Sequence, residues 1–157
     1  MQVSLPLRVV VDDLSGPEVA DLLADHLASM HQLTPAESVH ALDLTGLRTP
    51  EVTFWSAWVG ADLAGCGALK ELSPTHGEVK SMRTSPAYLR QGVAAALLDQ
   101  VVATARVRGY RRVSLETGSG EAFAPAQALY VRHGFVPCGP FAAYVDDPFS
   151  RFFTLEL

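Results

Sequence analysis

The sequence predicts an α/β or α+β fold in which helices cover a β-sheet. Two observations support this prediction. Two segments have a clear helical period of apolar residues, whereas the other apolar segments are short and rich in β-branched or aromatic residues. In chain order these segments read β-α-α-β-β-β-α-β-α-β-β. The chain has 157 residues, a length that usually forms one domain, so we expect a single domain over residues 1–157.

The first half of the chain predicts these elements: a strand over 5–13, helices over 17–31 and 35–46, and strands over 51–59, 63–71 and 78–84. Pro17 suits the first position of a helix, because the amide that proline lacks has no partner there. The segment Gly60-Ala61-Asp62 predicts a turn, so the strands on either side of it form a hairpin. Val79 and Met82 are apolar but three residues apart, which indicates a bulge in their strand.

The second half contains the strongest predicted helix, over 92–108, where Val93, Leu97, Val101 and Ala105 recur every four residues on one face. The remaining predicted elements are a strand over 111–117, a helix over 122–133, and strands near 135–145 and 151–157.

Composition and charge exclude several kinds of protein. The chain has 12 Lys and Arg against 17 Asp and Glu, a formal net charge of −5, which argues against binding to nucleic acid through its phosphates. No segment approaches the ~18 apolar residues of a membrane-spanning helix. Cys66 and Cys138 stand alone and form no zinc-ligand pattern. We therefore expect a cytoplasmic protein with no metal, no nucleic-acid partner and no membrane partner.

The segment that joins the predicted strand at 78–84 to the helix at 92–108 predicts an anion site. A loop that ends in Arg90-Gln91-Gly92 leads into the helix, and the first amides of a helix have no partner within it. These amides and the helix dipole attract anions such as a pyrophosphate. The alternative is that Gly92 only caps the helix. The patterns GxxxxGK[ST] and GxGxxG after a strand are both absent from the sequence.

Two motifs together resemble those of the GNAT superfamily of acetyl-CoA-dependent N-acetyltransferases. The family pattern [RQ]xxGx[GA] corresponds to Leu89-Arg90-Gln91-Gly92-Val93-Ala94, and LYxxxGF corresponds to the segment from Leu129 to Phe135. Leu89 departs from the first pattern, and Phe123 replaces an asparagine found in many members. A finer resemblance is to the YsnE-like bacterial members, through GEVKSMRT, SLETGSG and FVPCGPF.

The resemblance implies a GNAT fold, with a mixed, mostly antiparallel sheet of six or seven strands flanked by about four helices. It implies transfer of an acetyl group from acetyl-CoA to a primary amine of a small molecule, by direct attack in a ternary complex. Glu78 matches the position of the family's general base, and Tyr130 matches its general acid. The residues expected to bind the cofactor are Met82, Arg83, Thr84, Leu89, Arg90, Gln91, Gly92, Val93 and Ala94.

Several side chains have more than one interpretation. Glu116 is either a second base, a carboxylate that binds the acceptor, or half of a surface ion pair. Arg83 either holds a carboxylate of the acceptor or is exposed to solvent. His40 and Tyr144 are candidates for the wall of the acceptor pocket.

Two other functions stay open at this point. One is a catalytically silent regulatory module that binds acyl-CoA, which the departures at Leu89 and Phe123 would allow. The other is a structural or interaction domain without a cofactor. The family resemblance also makes a homodimer possible.

Overall fold

A seven-stranded mixed sheet forms the centre of the protein in the computed structural model, which describes residues 6–157. The strands are β1 (Leu7–Val11), β2 (Val52–Val59), β3 (Asp62–Ser73), β4 (His76–Thr84), β5 (Arg112–Gly118), β6 (Val136–Cys138) and β7 (Ser150–Glu156). Their order across the sheet is β1-β2-β3-β4-β5-β7-β6. The pairing of β4 with β5 is parallel, and the other five pairings are antiparallel.

Four helices accompany the sheet: α1 (Pro17–Leu33), α2 (Leu44–Leu47), α3 (Val93–Val107) and α4 (Ala124–Arg132). Single 3-10 turns lie at Ala36–Ser38, Pro86–Tyr88 and Glu121–Phe123. Within residues 6–157, no helix is both long enough and apolar enough to cross a membrane.

Most predicted elements are confirmed, and three need correction. The helix predicted over 35–46 is only a 3-10 turn followed by the four-residue α2. The strand predicted near 135–145 stops at Cys138, where Gly139 and Pro140 follow and proline cannot donate to a strand ladder. The helix predicted over 122–133 begins as α4 at Ala124, since Pro125 suits the first turn. Residue 5 of the first predicted strand lies outside the described residues.

The core has two layers, one on each face of the sheet. On one face α3 buries Leu97, Leu98 and Val101 completely. On the other face Val19, Leu22 and Leu23 of α1 pack with Phe54, Cys66 and Ala68 of the sheet. Since a helical side chain every third or fourth residue points to the same face, the apolar period of each helix accounts for its layer.

Glycines in β3 let α3 and β4 approach each other closely. A Cβ added at Gly65 would lie 2.8 Å from both the Arg83 carbonyl oxygen and Val93. A Cβ added at Gly67 would lie 2.5 Å from the sulfur of Met82. Larger residues at these two positions would push the beginning of α3 away from the end of β4, where the predicted anion site lies.

The two parallel strands at the centre of the sheet separate after a short pairing. β4 pairs with β5 only from His76 to Glu78, although β4 continues to Thr84. The predicted bulge in β4 is confirmed: the register against β3 shifts between Cys66 and Ala68, and Ser81 has a left-handed φ of 56°. The edge of β4 that faces β5 is therefore unpaired with β5 beyond Glu78.

Candidate active site

A cleft of about 640 Å³ opens where β4 and β5 separate. Its walls come from β4, the carboxyl end of β5, the end of α1, the beginning of α3 and one side of α4. Both predicted catalytic residues, Glu78 and Tyr130, line this one cleft. The loop that leads into α3 lines it too, so the cleft brings together residues that are far apart in the sequence.

The loop before α3 has the conformation of an anion site. Arg90 and Gly92 both have left-handed backbones, with φ of 61° and 82°. α3 begins at Val93 with no side-chain hydrogen bond capping it, so its first amides are free to bind a ligand. The space beside Gly92 is open, since an added Cβ would have no atom within 4 Å. The backbone conformation, rather than crowding, therefore explains glycine at this position.

Eight of the nine residues predicted to bind the cofactor line the cleft: Met82, Arg83, Thr84, Leu89, Arg90, Gly92, Val93 and Ala94. Gln91 does not belong to the cleft wall. Its side-chain amide donates instead to the carbonyl oxygen of Ala87 at 3.3 Å, within the loop. This bond helps to hold the loop that carries Arg90.

Glu78 is the centre of a buried polar cluster. Only 3% of Glu78 is exposed, and its Oε2 accepts hydrogen bonds from Lys80 Nζ at 3.1 Å and from the hydroxyl of Tyr144. Lys80 Nζ also donates to the Tyr144 hydroxyl at 3.1 Å and to the carbonyl oxygen of His40 at 3.4 Å. Burial, followed by the charge of Glu78, raises the pKa of Tyr144. The hydroxyl therefore stays protonated, and both it and the Lys80 ammonium donate hydrogen bonds to the carboxyl group of Glu78.

Tyr144 reaches this cluster from the loop between β6 and β7. Its ring lies 4.9 Å from His40, 5.0 Å from Phe141 and 5.6 Å from Phe152, measured between centroids. His40 and Tyr144 both line the cleft, as expected for a wall of the acceptor pocket. The sequence did not identify Lys80 as a site residue, although its position two residues after Glu78 places both side chains on one face of β4.

Glu116 on β5 is a second carboxyl group in the cleft. Burial raises the pKa of Glu116 to about 7, and Ser150 Oγ limits this effect by donating a hydrogen bond to Oε2 at 3.1 Å. The interpretation of Glu116 as half of a surface ion pair is wrong, because no cation of residues 6–157 lies within 4.0 Å of it. A carboxyl group with this pKa exchanges its proton at neutral pH.

Tyr130 lies where α4 packs on the sheet and is 6% exposed. Its ring contacts those of Phe135 and Phe153, and burial raises the pKa of its hydroxyl to about 12. Phe123 also lines the cleft, and its ring is so close to Gly118 that a Cβ there would lie 2.1 Å away. Phe123 offers an apolar surface where many family members have a hydrogen-bonding asparagine.

Comparison with known proteins agrees with this geometry. A sequence model of the acetyltransferase (GNAT) family matches residues 18–135. The chain belongs to the GNAT family. It is 54% identical to the uncharacterized N-acetyltransferase YsnE of Bacillus subtilis (strain 168), over 96% of this chain and 100% of the relative. It is 52% identical to the uncharacterized N-acetyltransferase YedL of Escherichia coli (strain K12), over 95% of this chain and 94% of the relative.

A GNAT family acetyltransferase from Elizabethkingia anophelis, crystallised with acetyl-CoA bound, has the same fold. The TM-score is 0.69 at 17% identity, over 96% of this chain and 98% of that chain. The predicted fold class is thus confirmed, as is the resemblance to GNAT proteins and to their YsnE-like members. The prediction that the chain is an acyltransferase is also confirmed by the family match and by these relatives.

Proposed function

We propose that this chain transfers the acetyl group of acetyl-CoA to a primary amine of a small molecule, by direct attack within a ternary complex. The observation that carries this proposal is one continuous cleft lined by the loop before α3, where no side chain caps the helix, and by two carboxyl groups, Glu78 and Glu116. The pyrophosphate of a nucleotide-linked thioester can bind at such a loop. An amine that must lose a proton can transfer it to a carboxylate. We also propose that residues 1–157 form a single catalytic domain.

The cofactor half of the proposal rests on β4 and on the beginning of α3. The free amides before and within the first turn of α3 would bind the pyrophosphate, with Arg90 adding a positive charge. The edge of β4 that β5 leaves unpaired beyond Glu78 would bind the pantetheine arm as an added strand would. The acetyl-CoA bound in the similarly folded Elizabethkingia protein supports acetyl-CoA as the donor here.

The chemistry requires a neutral amine, and an alkyl amine has a pKa near ~10.4. Glu78, whose Oε2 accepts hydrogen bonds from Lys80 and Tyr144, would take the proton of the ammonium. The amine nitrogen would then bond to the acetyl carbon, and backbone amides of residues 82–84 would stabilise the charge that develops on the acetyl oxygen. As the carbon–sulfur bond breaks, the departing thiolate would receive a proton from the Tyr130 hydroxyl. The nitrogen of the new amide would release its surplus proton, which restores the Tyr130 hydroxyl.

Glu116 is a second candidate for the base. A general base is most effective when its pKa lies near the working pH, and the pKa of Glu116 is about 7. Glu78 differs in its partner, since Lys80 Nζ lies 3.1 Å from its Oε2. The two candidates predict different effects of substitution, so the experiment below separates them.

The experiment is a free-thiol release assay with acetyl-CoA and a panel of amino acids, polyamines, aminoglycosides and peptides. Glu78→Gln, Glu116→Gln and Tyr130→Phe are compared with the wild-type protein, and Glu121→Gln in an exposed turn is the matched control. Loss of a general acid or base lowers the rate by roughly 10²–10⁴-fold. We expect that loss for Glu78→Gln, whereas the same loss confined to Glu116→Gln would transfer the role to Glu116.

The melting temperature with and without CoA completes the test. A ligand that binds the folded state raises it, so we expect CoA to stabilise the wild-type protein. Stabilisation without turnover of any acceptor would favour the alternative of a silent acyl-CoA-binding module. No stabilisation at saturating CoA would refute the proposal.

A further inference from the structure

Three buried polar side-chain atoms within residues 6–157 have no hydrogen-bond partner: Nδ1 of His26, Oγ of Ser81 and Nε of Arg83. All three residues line the catalytic cleft. His26 and Ser81 are each only 8% exposed. A buried polar atom without a partner destabilises the folded state, because it has lost its hydrogen bonds to water. Since the three residues that carry these atoms line one cleft rather than being scattered through the core, they point to a place where a ligand binds.

This group lies on the face of the sheet that α1 covers. Arg83 pairs with Cys66 across β3 and β4, and Cys66 belongs to the layer of the core that α1 completes. The Nη2 of Arg83 donates to Ser29 Oγ on α1 at 3.1 Å, one helical turn after His26. Met82 instead packs in the layer that contains α3. This group is therefore on the opposite face of β4 from α3. The loop that ends at Gly92 and leads into α3 is the predicted anion site.

The three side chains together form a donor set with one positive charge. The guanidinium of Arg83 is permanently charged, and no carboxylate of residues 6–157 lies within 4.0 Å of it. Burial, and secondly the charge of Arg83, lowers the pKa of His26 to about 4. His26 is therefore neutral at physiological pH and can donate from one ring nitrogen. The Ser81 hydroxyl is a third donor.

Carboxyl groups lie in another part of the cleft. Glu78 and Glu116 line it where β4 and β5 separate, and both carboxyl groups attract an ammonium. An acceptor that carries both an ammonium and a carboxylate would thus meet carboxylates near the acetyl group and Arg83 farther along β4. An amine without a carboxylate would leave the three donors of the cleft wall unpaired.

On the basis of the function proposed above, we propose that the acceptor is an amine that also bears a carboxylate, which Arg83, His26 and Ser81 bind. Arg83 determines this specificity by pairing with the carboxylate. The other source of an anion in this cleft is a phosphate of the cofactor. The experiment must separate these two sources.

The experiment measures thiol release and melting temperature with matched acids and amides. The probes run from glycine and glycinamide to 6-aminohexanoate and its amide, which vary the separation of the two groups. A charge-assisted hydrogen bond contributes about 1.5–3 kcal/mol, so we expect the best acid to have a KM roughly 10- to 100-fold below that of its amide. Arg83→Gln removes this difference between acid and amide. Arg83→Lys keeps the positive charge but lacks Nε–H, so it retains part of the KM difference between acid and amide. Arg106→Gln on the exposed end of α3 is the control.

The outcomes distinguish failure of this inference from failure of the proposed function. Equal KM values for acids and amides would overturn the carboxylate site while acetyl transfer stands. A rise confined to the KM of acetyl-CoA in Arg83→Gln would assign Arg83 to a cofactor phosphate instead. If no probe is acetylated, melting temperatures with CoA still decide: the inference requires an acid to stabilise the wild-type protein more than its amide does, and Arg83→Gln to abolish that difference. A protein that CoA does not stabilise would refute the proposed function itself.

Discussion

Replacing Glu116 by Gln should stabilise the protein at alkaline pH and leave its stability at acidic pH nearly unchanged. Burial raises the pKa of Glu116 from 4.5 to about 7 in the folded state. Below pH 4.5 the carboxyl group is protonated in both the folded and the unfolded chain, so its ionisation does not change the free energy of unfolding. Between these values the folded state holds a proton that the unfolded state has lost, and the free energy of unfolding falls as pH rises. Above pH 7 the carboxyl group is ionised in both states, and its burial lowers the free energy of unfolding by about 3 kcal/mol.

Gln cannot ionise, and its amide oxygen can still accept the hydrogen bond from Ser150 that Glu116 accepts now. We therefore expect Glu116→Gln to unfold with a free energy about 3 kcal/mol above that of the wild-type protein at pH 8.5, and with no gain at pH 4.5. Urea unfolding followed by circular dichroism at several pH values measures this difference. Glu121→Gln controls for the loss of a negative charge, since Glu121 is exposed.

Two results would refute this reasoning. The first is a constant difference between Glu116→Gln and the wild-type protein from pH 4.5 to 8.5, which would mean that Glu116 ionises alike in the folded and unfolded states. The second is destabilisation at pH 8.5, which would mean that the ionised carboxylate has a favourable partner in the folded state. A pH-dependent gain in Glu121→Gln as well would assign the effect to the overall charge of the chain.

Three further substitutions test other parts of the molecule. Gly92→Ala places a side chain at a φ of 82°, so it should cost about 1–2 kcal/mol of stability and weaken CoA binding by calorimetry, whereas Gly120→Ala, at a φ of −76°, should change neither. Lys80→Met leaves Glu78 buried without its ammonium and should lower the free energy of unfolding by about 3–5 kcal/mol; no recovery on adding Glu78→Gln would contradict this. Leu97→Ala removes a fully buried side chain and should cost about 2–5 kcal/mol by urea unfolding, and a cost under 1 kcal/mol would contradict its place in the core.

The parts of the fold that the sequence predicted well are those whose structure depends on nearby residues. α1 and α3 have apolar residues at helical spacing, and Gly60 begins a tight turn between β2 and β3. These signals act over a few residues, so they can be read without knowing the rest of the fold. The loop before α3 was predictable for the same reason, because the left-handed backbone at Gly92 is a local requirement.

The parts that were predicted poorly depend on distant contacts. Residues 139–145 were expected to continue a strand, but they belong to a loop that brings Tyr144 to Glu78, 66 residues away in the chain. No local pattern around Tyr144 indicates that contact. The partly buried position of Glu116 depends likewise on Ser150 at the start of β7 and on the separation of β4 from β5. Only Lys80 had a usable local signal, its spacing of two from Glu78 along one strand.

The two carboxyl groups of the cleft show why residue type alone could not assign their roles. Glu78 and Glu116 lie on neighbouring parallel strands and line the same cleft, yet their partners differ. Glu78 has an ammonium and a phenol that stabilise its charge, whereas Glu116 has one serine hydroxyl and a cost of burial that favours its protonated form. The cleft therefore holds one carboxyl group paired with an ammonium and a second whose pKa of about 7 lets it gain and lose a proton at neutral pH. Since an arriving ammonium is attracted by both charges, ionisation of Glu116 near pH 7 should make acceptor binding tighter even if Glu78 is the base. A pH dependence of KM that disappears in Glu116→Gln, with kcat retained, would place Glu116 in binding rather than in proton transfer.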